Sequence, residues 1–133
     1  MREEHDEEFN ALEQFGKTGS RESFDTFNAG ISRHIDFEEK VLFDIVRAKT
    51  GEKNPPLIEE LALQHSRIRL LIKNIYELLG KENTRGMHGF ISDLTELVRA
   101  HDSMEESDFY PWLDENMSDA EINAAFEKRK RIK

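Results

Sequence analysis

Apolar residues recur every three or four positions along most of the chain, the period of a helix with one buried face. One run passes through Phe24, Phe27, Ile31, Ile35, Val41, Leu42 and Ile45. A second passes through Leu57, Leu61, Ile68, Leu71, Ile72, Ile75 and Leu79, and a third through Phe90, Ile91, Leu94, Leu97 and Val98. No segment alternates with period two between hairpin signals, so strands are not predicted. Three breaks interrupt the pattern: Gly16 to Gly19, Gly51 to Pro56 and Gly80 to Gly86. Ser20 suits an N-cap after the first break, and Pro55 or Pro56 suits the first turn of a helix after the second. The predicted helices span about 2–17, 20–49, 56–80 and 85–109. Pro111 should end or kink the fourth. Ser118 with Glu121 reads as a capping box that opens a short fifth helix, which runs into the basic tail Lys128 to Lys133. Short connections make successive helices antiparallel. The expectation is an all-α, up-down-up-down antiparallel four-helix bundle with a short C-terminal helix, residues 1–133 forming a single domain.

Composition narrows the function. The 133 residues carry 28 acidic and 19 basic side chains, a formal charge of −9. A nucleic-acid surface needs a basic stripe, so that partner is not expected, whereas cations are. Cysteine is absent, which removes disulfides, thiolate metal sites and cysteine nucleophiles. No apolar run reaches the roughly 18 residues of a membrane span. The acidic start MREEHDEEF lacks the apolar core of a signal peptide. A cytoplasmic protein that makes no use of membrane is expected.

The candidate chemistry lies in five histidines, of which two precede a glutamate by four positions: His34 with Glu38, and His101 with Glu105. On a helix such residues share a face, with Cβ atoms about 5–6 Å apart. Two residues of an antiparallel hairpin stand level when they are equidistant from its turn. Midway between His5 and His34 lies Gly19-Ser20, between His34 and His65 lies Thr50-Gly51, and between His65 and His101 lies Asn83. Each midpoint falls in or beside a break. One histidine from each helix is therefore predicted near a common level, with Glu38 and Glu105 both one turn beyond it. Burying two carboxylates among imidazoles is costly without a cation, so the set His5, His34, Glu38, His65, His101 and Glu105 is predicted to bind metal. His88 lies about 20 Å along the fourth helix from His101 and is expected at the surface. Glu39 and Glu106 follow the two glutamates and are read as non-ligating neighbours, with Glu106 taking the bridging role if the helix register differs.

At these residues the chain resembles the hemerythrin family, specifically the hemerythrin-like HHE cation-binding domains. The matching pattern is His5, then His34-Ile-Asp-Phe-Glu38-Glu39, Gln64-His65, and His101-Asp-Ser-Met-Glu105-Glu106, with Phe109-Tyr110-Pro111 following. The resemblance implies a non-haem di-iron centre. His5 and His34 would bind one iron and His65 and His101 the other, with Glu38, Glu105 and an oxo or hydroxo group as bridges. Manganese or zinc would also suit such donors. It further implies O₂ or another small diatomic or peroxide ligand. The family's oxygen carriers have a fifth histidine one turn after the third-helix histidine, where this chain has Arg69. Five donors on each iron would leave both open, an arrangement expected to autoxidise rather than hold O₂. Replacing Arg69 by His should slow that decay if residue 69 faces the centre.

The leading expectation is a di-iron protein that binds or senses O₂ or a related small oxidant. A di-iron oxidase or peroxidase-like enzyme is the second reading, and a metal-free helical interaction module the third. A relative that repairs iron–sulfur centres typically carries N-terminal cysteines, which this chain lacks. No protein partner is implied.

Overall fold

A computed structural model describes residues 2–81 and 86–130, the side chains of residues 2–4 excepted. It is an all-α helical bundle. Helix α1 covers Arg2–Thr18. Helix α2 begins as Arg21–Phe37, widens into a π-helical turn at Glu38–Leu42 and continues as Phe43–Thr50. Helix α3 covers Pro56–Gly80. Helix α4 repeats the build of α2: Met87–Met104, a π-helical turn at Glu105–Phe109, then Tyr110–Asn116. The short α5 covers Asp119–Arg129. The expected start of the fourth helix at residue 85, and the midpoint at Asn83, lie outside the described residues.

Local chemistry explains the ends. The Ser23 N–H donates to the Ser20 side chain at the start of α2. Gly51 ends that helix at φ 71°, a left-handed backbone that glycine adopts without strain. Pro56 opens α3, where a missing N–H costs nothing. Ser118 and Glu121 form the predicted capping box. Pro111 neither ends nor sharply breaks α4, which runs on to Asn116. The wide turn stands immediately before this proline, so the ring meets a hydrogen-bond ladder already changing spacing.

Each of the four long helices packs on two others in the ring α1–α2–α3–α4. Their apolar stripes form two separate clusters. One joins Leu12, Phe15, Phe24, Phe27, Ile35, Ile68, Ile75 and Leu94. The other joins Phe37, Phe43, Val46, Ile58, Leu61, Phe109, Leu113 and Ala125, with α5 laid across that end of the bundle. Each fully buried phenylalanine contributes about 2–3 kcal/mol of burial. On α2, α3 and α4 the two clusters are separated by the level that carries the histidines. The polar layer is thus clamped between two dry cores. No helix of the described residues is long and apolar enough to cross a membrane.

Candidate metal centre

His5, His34, His65 and His101 all lie in this layer and all are buried, as are Glu38 and Glu105, both at 0% exposure. They form two triads able to hold an ion: His5, His34 and Glu105, and Glu38, His65 and His101. Glu38 reaches both triads. Its Oε2 is 3.1 Å from His34 Nε2 and its Oε1 is 2.8 Å from His65 Nε2. Glu105 does the same from the opposite side, its Oε1 lying 3.3 Å from His5 Nε2 and 3.0 Å from His101 Nε2. His88 is exposed on α4.

The imidazoles are aimed by their outer nitrogens. His34 Nδ1 donates to Glu8 Oε1 at 3.1 Å, His65 Nδ1 to Glu39 Oε2 at 2.8 Å and His101 Nδ1 to Gln64 Oε1 at 2.7 Å. Such donation fixes the tautomer and leaves the Nε2 lone pair facing inward, the arrangement of metal-bound histidine. His5 has Glu106 at 3.8 Å from its Nδ1, which makes no hydrogen bond. Glu8, Glu39 and Gln64 have no periodic signal that would single them out in so acidic a chain. Glu39 is therefore not the neutral neighbour that its sequence position suggested.

Arg69 also departs from expectation. Its side chain is 46% exposed and points away from the centre, with its Nη2 2.9 Å from Glu39 Oε1 and 3.5 Å from Asp36 Oδ1. It steadies Glu39 and supplies nothing to the site, so a histidine there would not complete it.

Tyr110 was not singled out as a site residue. Its hydroxyl lies 2.9 Å from His5 Nε2 and 3.4 Å from His34 Nε2. From Glu105, α-helical spacing puts residues 109 and 112 on the inward face. The wide turn, in which the Tyr110 N–H bonds the Glu105 carbonyl, brings residue 110 there as well, while Phe109 stays fully buried. Tyr110 also lines a largely apolar cavity of about 250 Å³ with Phe37, Leu42, Leu113 and Met117.

The electrostatics of the layer call for positive charge. Burial pulls His34 down, but Glu38 and Glu8 outweigh it and raise the pKa to about 10. Burial also opposes ionisation of Glu38, yet His34, His101 and His65 hold its carboxyl well below the usual range. Burial, helped by the neighbouring imidazoles, outweighs the nearby carboxylates at His5 and His101, whose pKa values fall. It lifts Asp102 to about 7 and pushes the Tyr110 phenol up, Glu38 adding to the latter. A neutral His34 with Nδ1–H bound to Glu8 would face Glu38 lone pair to lone pair. A second proton, or a metal ion, resolves that clash.

Glu105 gives the sharper fit test. Both its oxygens are buried without any hydrogen-bond partner. His101 Nε2 is only 3.0 Å away, but no hydrogen is aligned between them. An unpartnered buried carboxylate costs several kcal/mol. Donors crowded together without mutual hydrogen bonds are what a shared cation satisfies, so the residues fit a metal.

A bundle of this form, with imidazole and carboxylate donors gathered at mid-height, defines a helical cation-binding domain. The sequence profile of the Hemerythrin HHE cation binding domain matches residues 1–113, and matches again over 56–132. The chain belongs to that family. No match was found among curated proteins or among solved structures.

Proposed function

We propose that the protein carries a non-haem di-iron centre and uses it to bind or sense O₂ or a related small oxidant. His5 and His34 hold one metal, His65 and His101 the other, and Glu38 and Glu105 span both. The observation that carries this reading is Glu105: a carboxylate at 0% exposure, both oxygens unpartnered, between two pairs of inward-facing imidazoles. A metal-free interaction module would leave both oxygens of that buried carboxylate without a hydrogen bond. Mixed imidazole and carboxylate donors suit iron, with manganese and zinc as competitors that geometry must exclude.

Paired irons supply redox chemistry toward O₂ when bound. The chain's own residues do the rest. Glu8, Glu39 and Gln64 hold three imidazoles in one tautomer. The two apolar clusters keep bulk water from the layer, which strengthens every charge interaction inside it. The cavity beside Tyr110 suits a small apolar molecule better than a charged one.

Anaerobic protein loaded with ferrous iron and mixed with O₂ in a stopped-flow spectrometer tests the proposal. A visible absorption change within the mixing experiment is expected from the wild type and not from Glu38→Ala. A loaded wild-type protein whose spectrum is indifferent to O₂ would contradict it.

A further inference from the structure

The geometry points to Tyr110 as a direct ligand of the metal held by His5 and His34, which leaves the open coordination position on the metal held by His65 and His101. The inference rests on the di-metal reading above and adds to it an asymmetry that the histidines and glutamates do not contain.

The hydroxyl of Tyr110 meets two inward nitrogens, His5 Nε2 and His34 Nε2. Both are nitrogens whose lone pairs a metal would take. Once they are taken, a phenol O–H would remain buried with neither acceptor, a loss of about 1–3 kcal/mol. Coordination removes the difficulty: the oxygen binds the metal and the phenol proton passes to solvent, as protons do when metals displace them.

The distances agree. Adjacent donors of an octahedral ion with bonds of about 2.1 Å stand about 3.0 Å apart. Tyr110 Oη to His5 Nε2 is 2.9 Å, His34 Nε2 to Glu38 Oε2 is 3.1 Å, His5 Nε2 to Glu105 Oε1 is 3.3 Å and Tyr110 Oη to His34 Nε2 is 3.4 Å. They fit the edges of one coordination shell.

The other half of the site supplies the contrast. The wide turns of α2 and α4 are built alike, with the Phe43 N–H bonding the Glu38 carbonyl as the Tyr110 N–H bonds that of Glu105. Phe43 stacks on His65 with ring centroids 5.5 Å apart, and Tyr110 stacks on His5 at 5.6 Å. The same position thus offers an oxygen on one side and only a hydrocarbon ring on the other. The His5 and His34 metal gains Tyr110 besides Glu38 and Glu105, while the His65 and His101 metal has the two glutamates alone.

Resonance Raman and visible absorption of the protein, loaded anaerobically with ferrous iron and then oxidised with ferricyanide, test this. The wild type should show a phenolate-to-ferric charge-transfer band with enhanced phenolate ring modes. Tyr110→Phe should lose both. Two irons per wild-type chain without phenolate modes, or a Tyr110→Phe spectrum that still carries them, would overturn the tyrosine ligand. Fewer than two irons per wild-type chain would overturn the di-metal reading instead. The wild-type Raman spectrum decides the point even if the variant folds poorly.

Discussion

Glu39 shows how a residue one position from a ligand acquires a task. It follows Glu38 in sequence but faces sideways, accepting from His65 Nδ1 at 2.8 Å and from the Arg69 guanidinium. Burial opposes its ionisation, but the hydrogen bonds from His65 and Arg69 outweigh it and lower its pKa. Loss of such an outer partner typically weakens metal binding by about 10–100-fold. Glu39→Ala is therefore expected to lower metal affinity by about that factor in a competitive chelator titration. Arg69→Ala, which removes only an exposed ion pair, should cost about 1 kcal/mol or less of stability and leave affinity nearly unchanged. Equal losses in the two variants would mean that the arginine, not the carboxylate, orients His65. At this scale the six histidines and glutamates were legible because their spacing departs from chance when set against the breaks. Glu8 and Gln64 were not, because an outer hydrogen bond leaves no periodic trace. Tyr110 stood in the matching pattern only as a flanking aromatic, because the five-residue hydrogen bond that turns it inward leaves no mark in the apolar period.

The helices themselves were largely legible, since each break combines a glycine, proline or capping residue with the end of an apolar stripe. The wide turns were not, although one clue exists. Each glutamate is followed five positions on by an aromatic, Phe43 after Glu38 and Tyr110 after Glu105, and these are the residues whose N–H groups reach back to the glutamate carbonyls. The short helix α5 was legible from its capping box alone. Ser118 accepts from the Glu121 N–H at 3.2 Å and Glu121 accepts from the Ser118 N–H at 3.0 Å. Glu121 also pairs with Lys49 of α2. Loss of an N-cap costs about 1 kcal/mol. Ser118→Ala is expected to destabilise the protein by about that amount in urea unfolding. Since α5 lies over the wide turn of α2 and the cavity beside Tyr110, hydrogen exchange in α5 should rise more than in α1. Unchanged exchange in α5 would show that packing of Ala125 and Phe126, not the cap, holds the helix.

Across the whole molecule, two hydrophobic clusters hold a charged layer between them, and the layer has more donors than hydrogen bonds to satisfy them. The build is nearly twofold: a helix with one histidine, then a helix with a histidine, a glutamate and a wide turn, repeated once. A charge of −9 on the chain adds a field that draws cations toward the bundle. The account stands or falls on whether the layer takes up two metals through its paired carboxylates. Anaerobic titration of the metal-free protein with ferrous iron, read as iron retained per chain after desalting, measures this directly. Two irons per chain in the wild type, and a clear shortfall in Glu105→Ala, are the predicted results. A wild type that retains none, or a Glu105→Ala variant that still retains two, would contradict it.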